Sequence, residues 1–575
     1  MPQSLGAKTE RSVNQSGAGR AGLKHLWQAL DSTARGVGVR HPVRRVLRRR
    51  SGRARERSAC SLLGFAALFA ALLLPLGAEA SSTGVVVNTT SDVADFGGAQ
   101  QVGDLPGPDG KVSLREAITA ANNTPGPQVI GFAIPASDPG CAAGVCTIRP
   151  VIFVLPPLAD DRTTIDGSTQ TSFAGNPNPA GPEIEINFSL IVHFDGGCQG
   201  SPGIGSSCSG LYLASNGNRV HHVVVNGFVG NAEGVRISGS GNVVTGSYIG
   251  LDPTGAVAVP NDENGVSIDT GPGNRIGGRT TGERNVISGN QGNGISLASD
   301  SNVVEGNFIG TDRTGSVGVG NGGGVIVSFG ASENVVGGLS PQARNIISGN
   351  DGAGVYIGSF GGASRNIVIG NFLGTDVTGT VAIGNGEDGV RIVGDPGFSA
   401  NENRIIGNLV AWNSPYGVGL FSANDNVVQG NVIDRNVASG VSCCSGPSGP
   451  TSTGNRVTGN VLSRNGVDGI TLGGSSGMTV EANLIIQNPR YGVWIGVSST
   501  ANIVRRNQVR ANGIDGILLE FDASGNSIVE NFLRANVEHD CHDNSTGSGT
   551  AGTANTWRRN NGQTSQPPGL CVPRG

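Results

Sequence analysis

The stretch Asn302-Val303-Val304-Glu305-Gly306-Asn307-Phe308-Ile309-Gly310-Thr311-Asp312-Arg313-Thr314-Gly315 decides the fold of this chain. It holds two short apolar pieces separated by Gly-Asn. Each alternates with period two, which puts the apolar side chains on one face of a strand. Pieces this short do not make helices. The stretch also recurs. Ile309-Gly310-Thr311-Asp312 stands 60 residues earlier as Ile249-Gly250-Leu251-Asp252 and 64 residues later as Leu373-Gly374-Thr375-Asp376. A second phrase, Gly-Val-x-Ile or a close variant, begins at Gly210, Gly234, Gly265 and on to Gly492 and Gly516, at intervals of 23 to 35 residues. The shortest unit is three short strands and three turns, one coil of a solenoid. Stacked coils pair each strand in parallel with its counterpart about 4.8 Å away. The expected fold is all-β: a single-stranded parallel β-helix of about a dozen or more coils, three short strands each.

Composition agrees. The 575 residues include 96 glycines and 50 asparagines, and only 14% are charged. Glycine costs about 1 kcal/mol per helical position, which disfavours a helical bundle, and no Gly-X-Y period marks a collagen. A coil needs sharp corners, where glycine takes positive φ at no steric cost and asparagine tolerates it. Asn307, Asn371, Asn408, Asn431, Asn460, Asn483, Asn507 and Asn531 fall at one place in their coils. Stacked amides there are expected to form a hydrogen-bonded ladder.

The net charge of −4 joins two unlike segments. Residues 1–80 carry +10, which leaves −14 for 81–575, where Lys111 is the lone lysine. The acidic remainder excludes a nucleic-acid binder. The basic segment ends in an apolar run, Leu62 to Leu76, followed by Ala78-Glu79-Ala80, the pattern of a secretory signal cleaved between Ala80 and Ser81. After its removal no segment approaches the roughly 20 apolar residues of a spanning helix. Eight cysteines follow the leader, and an even number in an exported chain reads as disulfides. Local closure suggests Cys141–Cys146, Cys198–Cys208 and Cys541–Cys571, with Cys443-Cys444 as a vicinal candidate.

An open coil exposes unpaired edges, so both ends need caps. Ser113-Leu114-Arg115-Glu116 is a helix capping box, with Leu114, Ala117, Ile118 and Ala121 on one face. Residues 81–200 read as an N-terminal cap with the first irregular coils, 201–536 as the repeats and 537–575 as a C-terminal cap. Lys111-Val112-Ser113-Leu114-Arg115-Glu116-Ala117-Ile118 resembles the CSLREA domain of bacterial exported proteins, with Val112 where that family usually has Cys. The Ile-Gly-Thr-Asp-x-Thr-Gly and Asn-x-Ile-Ser-Gly-Asn phrases resemble the right-handed β-helix repeats that follow it. The resemblance implies the pectate-lyase-like fold and an extracellular or cell-surface setting, and no one activity.

Three groups of residues are candidates for chemistry. Asp252, Asp312 and Asp376 each open an Asp-x-Thr-Gly turn and read as turn residues. Asp351, Glu387 and Asp388 lie in adjacent loops with Arg391 close by; calcium, which takes about 6–8 oxygens, is the ion they would hold, and no other cofactor is expected. His539, His542 and Asp543 are weak metal candidates. A separate signal lies on the outward x positions of Gly-Val-x-Ile, mostly small residues. Tyr356, Arg391 and Trp494 stand there, with Trp412, Tyr416 and Tyr491 nearby. Aromatics beside arginine suit sugar rings. The first reading is an exported or surface protein that presents an extended binding or adhesive face to polysaccharide or cell envelope. A polysaccharide-active enzyme (lyase, hydrolase or epimerase) and a purely structural surface protein are the alternatives. The sequence leaves the catalytic residues and the oligomeric state open.

Overall fold

The computed structural model describes residues 83–573, apart from 96–97, 152, 192–207, 231, 359–360, 395–396, 399 and 445–451. The segment 1–80, the expected cleavage point at Ala80 and Ser81, Cys198 and the side chain of Cys208 lie outside the described residues. The chain from residue 83 on is a parallel β-helix, wound right-handed as parallel crossovers are. Sheet 1 has fourteen strands, from Cys208–Leu213 to Ser565–Gln566, and carries the Gly-Val-x-Ile phrase. Sheet 2 has sixteen, from Thr83–Val87 to Thr556–Arg558. Sheet 3 has fifteen, from Cys141–Ala142 to Phe532–Arg534. Among the described residues every strand pairing between coils is parallel, and the one antiparallel pair of strands is Cys141–Ala142 with Val145–Ile148. The sheets therefore run through both stretches read as caps.

The coil near residue 400 shows the plan. Val390–Val393 lies in sheet 1, Arg404–Ile406 in sheet 2 and Leu409–Ala411 in sheet 3, and Val418–Phe421 begins the next coil. Inward side chains stack on their counterparts: Val355, Val390, Val418 and Val441 in one column and Ile357, Ile392, Leu420 and Cys443 in the next. All eight are fully buried. Burying one such aliphatic side chain is worth about 1.5–3 kcal/mol, and the stack repeats it along the helix. Cys443 takes an aliphatic place in the interior while Cys444 faces outward. Adjacent strand residues point to opposite faces, so the vicinal bridge does not form and both thiols are free.

Asparagine ladders run along all three corners, where the sequence suggested one. The column entering sheet 3 runs from Asn285 through Asn307, Asn345 and Asn371 to Asn531 and Asn560. A second enters sheet 2, from Asn218 to Asn555, broken at Met478. A third leaves sheet 3, from Asn261 to Asn536, and ends on Asp540. Asn431 shows the bonding. Its Nδ2 donates to Ile405 O and Asn460 Oδ1, and its Oδ1 accepts from Asn408 N and Nδ2. The positive φ belongs to the residue before the ladder asparagine: Gly430 (φ 64°), Arg435 (φ 55°) and Trp412 (φ 60°) precede Asn431, Asn436 and Asn413. Asparagine is at the corner for its amide, not for its backbone.

The repeat glycines have a second role. Gly265, in Gly-Val-x-Ile, is not at positive φ; a Cβ there would lie 2.6 Å from Ile287 Cγ2 and 2.9 Å from Asn290 Nδ2. At the N-terminal end, helix α1 (Leu114–Asn123) packs on Thr83–Val87 and Gln128–Phe132. Its capping box forms as expected: Ser113 Oγ accepts from Glu116 N, and Glu116 Oε2 accepts from Ser113 N. A second helix, α2 (Ser168–Ala174), also packs on Gln128–Phe132. Among the described residues no helix is long and apolar enough to cross a membrane.

Candidate functional site: the outward face of sheet 1

Parallel register aligns the x positions into one column. Tyr356 is followed, one coil at a time, by Arg391, Gly419, Ser442, Thr471, Trp494, Leu518 and His542. Before Tyr356 stand Ser267, Ser296 and Ile326. Tyr212 and Arg236 begin the column, with the guanidinium over the ring at 5.4 Å. Beyond them small side chains leave a lane, and the large ones mark two clusters.

The first cluster centres on Arg391. Its guanidinium lies over the Phe421 ring, 5.2 Å from the centroid, and pairs with Glu387 at 3.4 Å. Tyr416 packs against Phe421 in a tilted arrangement, with centroids 6.0 Å apart and the ring planes at 48°. The Asp388 carboxylate lies over Gly419, where a Cβ would meet its Oδ2 at 2.6 Å. Asp388 Oδ1 accepts from Tyr416 N, while Oδ2 has no hydrogen-bond partner. Burial pushes the Asp388 carboxyl up to about 6, against the opposing effects of the Tyr416 N–H and Arg391. Burial likewise raises Tyr416. A pKa displaced by burial beside a specific charge marks a functional candidate. Phe421 was not foreseen. Its signal is its place two residues after Gly419, the next outward position of the same strand.

The second cluster holds Trp494. Its indole lies along its own strand over Gly496, where a Cβ would sit 2.6 Å from Trp494 Cζ3, and its edge comes to ordinary contact distance of Gly473 in the preceding coil. Its Nε1 donates to Glu520 Oε1 at 2.9 Å. Tyr491 lies under the Arg490 guanidinium, 4.8 Å from the ring centroid. The two clusters are four coils apart, roughly 19 Å by strand spacing. Trp412 joins neither. It stands at the corner leaving sheet 3, under Arg435 at 5.5 Å.

The metal candidates are re-sorted. Cys541–Asp543 is a sheet 1 strand, so Cys541 and Asp543 face inward and His542 outward. Asp543 is buried and accepts from Trp557 Nε1, Asn555 Nδ2 and Ser545 Oγ; it closes the end of the coil stack and cannot join the histidines. Asp515, one coil earlier, takes its place. Its Oδ1 lies 3.1 Å from His539 Nδ1 and its Oδ2 2.9 Å from His542 Nδ1. Nothing in the local string His539-Asp540-Cys541-His542 signals Asp515; only the 24-residue coil period does. The ligand atoms of these three residues all lie within 4.8 Å of one another. No other group of three such side chains gathers this closely among the described residues, Asp351, Glu387 and Asp388 included. Cys541 and Cys571 meet as expected but as free thiols in hydrogen-bonding contact. Cys571 also donates to Thr564 O at 3.3 Å, so the chain end is held without the bridge. Cys141–Cys146 is a disulfide across the antiparallel hairpin.

The three Asp-x-Thr-Gly aspartates are turn residues. In each, Oδ1 accepts the backbone N–H groups four and five residues on, and the threonine hydroxyl bonds the carboxylate. Burial opposes ionisation of Asp252 and Asp376, but these hydrogen bonds prevail and hold both below the ordinary carboxylate range.

A family described as the right handed beta helix region matches residues 343–509 and again 446–561. No curated protein matches the sequence. Among solved structures, the chain is similar to the mannuronan C-5 epimerase AlgE4 A-module of Azotobacter vinelandii, with 11% identity over 78% of this chain and 91% of that one and a TM-score of 0.33. It is similar to the periplasmic alginate epimerase AlgG, with 12% identity over 76% and 83% and a TM-score of 0.31. It is also similar to PfbA, a surface adhesin of Streptococcus pneumoniae, with 11% identity over 64% and 86% and a TM-score of 0.34. Likeness at this level transfers no activity.

Proposed function

We propose that this is an exported protein that binds polysaccharide along the outward face of sheet 1. The observation that carries the reading is the x column: a lane of Gly, Ser and Thr with Tyr356 and Arg391 at one station and Trp494 at another. Sugar rings lie flat on aromatic faces, and guanidinium takes hydroxyl or carboxylate oxygens in a planar fork. The signal-like 1–80 segment and the Cys141–Cys146 disulfide support export, since disulfides persist in oxidising compartments. The 111–118 phrase supports assignment of the N-terminal region to the CSLREA group.

Retention on a glycan array tests the binding reading. Tyr356→Ala, Arg391→Ala and Trp494→Ala are each expected to weaken binding to the retained glycan about tenfold, or ~1.4 kcal/mol. Loss of none of it in all three variants, or no retained glycan, overturns the assignment of this face.

A second reading, a polysaccharide lyase or glycoside hydrolase, rests on Asp388. A buried carboxyl at about 6 beside Arg391 and Tyr416 is poised for proton transfer near neutral pH. Ultraviolet detection of unsaturated products from uronic-acid polymers, and reducing-end release from neutral ones, test it. Turnover abolished by Asp388→Asn supports the enzyme; binding without turnover leaves the first reading alone.

A further inference from the structure

We propose that Asp515, His539 and His542 form a divalent metal site of the zinc class at the C-terminal end of the sheet 1 face. The three side chains come from two successive coils. His542 occupies the x position, Asp515 stands just before the repeat glycine Gly516, His539 stands at the same register in the next coil, before Asp540, and coil stacking brings them together. The carboxylate is aimed at both rings: Oδ1 to His539 Nδ1 at 3.1 Å and Oδ2 to His542 Nδ1 at 2.9 Å. Ligands about 2.0–2.1 Å from a tetrahedral ion sit roughly 3.3 Å from one another, so small shifts seat an ion among the three.

Structural duty explains only part of this arrangement. Asp388 and Asp468 hold the equivalent position in earlier coils, and one oxygen of each accepts the backbone N–H of the next coil, from Tyr416 and Tyr491. Asp515 does the same for His539 N at 3.0 Å. That bond needs no imidazole, yet here both neighbouring outward groups are imidazoles turned onto the carboxylate. The rings lie 4.8 Å apart between centroids, on different planes, as two ligands of one ion would. Asp515 is buried, whereas His539 and His542 are 30% and 17% exposed, so solvent reaches the open side. Asn544 hydrogen-bonds His542 and Glu538 adds negative charge nearby. Such outer partners orient a ligating ring. Two imidazoles and one carboxylate suit zinc, or cobalt, nickel and copper, rather than calcium. Cys541 stands between the histidines in sequence but points inward, and it takes no part.

The test is titration of the EDTA-treated full chain with Zn²⁺ alone, followed by calorimetry and by the visible spectrum of the Co²⁺ form. We expect one saturable equivalent, weakened at least about tenfold by His542→Gln, His539→Gln or Asp515→Asn, and unchanged in Cys571→Ser. Melting curves of the metal-free variants establish that they fold; His542→Gln, whose side chain is outward, serves if Asp515→Asn does not. Absence of saturable uptake means an Asp–His hydrogen-bonded cluster only and overturns the proposal. So does uptake that survives the histidine variants and disappears in Cys571→Ser, which would place the ion on the thiols.

Discussion

A ladder asparagine does in one side chain what a corner otherwise leaves undone. Asn431 takes two donors and gives two, all buried. Each such bond is worth about 1 kcal/mol net, and a stranded partner costs about 1–3 kcal/mol. Asn431→Leu is therefore expected to lower stability by about 3 kcal/mol or more in urea unfolding. Met478 is the natural contrast. It breaks one column: Asn455 Nδ2 keeps its bond to Ala423 O at 2.7 Å, but along the ladder it meets Met478 Sδ at 3.7 Å where an amide oxygen would stand. Met478→Asn restores a donor and an acceptor there and is expected to cost far less than Asn431→Leu in the same assay. Glu233 is a different kind of buried polar group. Burial pushes its carboxyl up to about 7 from an ordinary 4.5, and its Oε2 has no hydrogen-bond partner. The native state thus binds a proton that the unfolded chain has lost. Stability contributed by Glu233 is complete below about pH 4.5 and is lost as pH rises to about 7, on the order of 3 kcal/mol at most. Glu233→Gln is expected to flatten the melting temperature across that window; an unchanged slope refutes this.

At the scale of elements, the coil is legible in the sequence because each corner has its own phrase. The strands of Gly-Val-x-Ile and Asn-x-Val fall where period two places them, and the S-x-x-E box starts α1 at Leu114. Ser113→Ala removes an acceptor for Glu116 N and is expected to cost about 1 kcal/mol, read as a lower melting point. What each repeat residue does was less legible. Gly265 looked like a corner and is a contact, because the amide of Asn290 and the methyl of Ile287 occupy the space of a Cβ. Arg435 and Trp412 look like poor corner residues and are corners, because the asparagine ladder holds the turn for them. The Asp-x-Thr-Gly hairpins were correctly read as turns, since their chemistry is local, within five residues.

At the scale of the whole molecule, the coil stack lives by its ends as well as its interior. Residues 537–575 supply Cys541–Asp543, Thr556–Arg558 and Ser565–Gln566, and their Asp540 and Asp543 terminate two amide ladders. Deleting 537–575 bares the edges of Ile517–Leu519 and Ser527–Val529 and is expected to give concentration-dependent oligomers in size exclusion. The sequence by itself determined the coil, its three strands, the strand faces and the outward x column, because those follow from periods of two and of about 24 residues. It also placed Tyr356, Arg391 and Trp494 on one face. Only the tertiary structure decided which chemistry gathers. Stacking put Asp515 beside His539 and His542 and sent Asp543 inside, set Phe421 under Arg391, left Trp412 at a corner, and kept Cys541 and Cys571 as thiols. Those relations run between coils and across the rise of the helix, where side-chain direction and local loop length, rather than residue order, fix what touches.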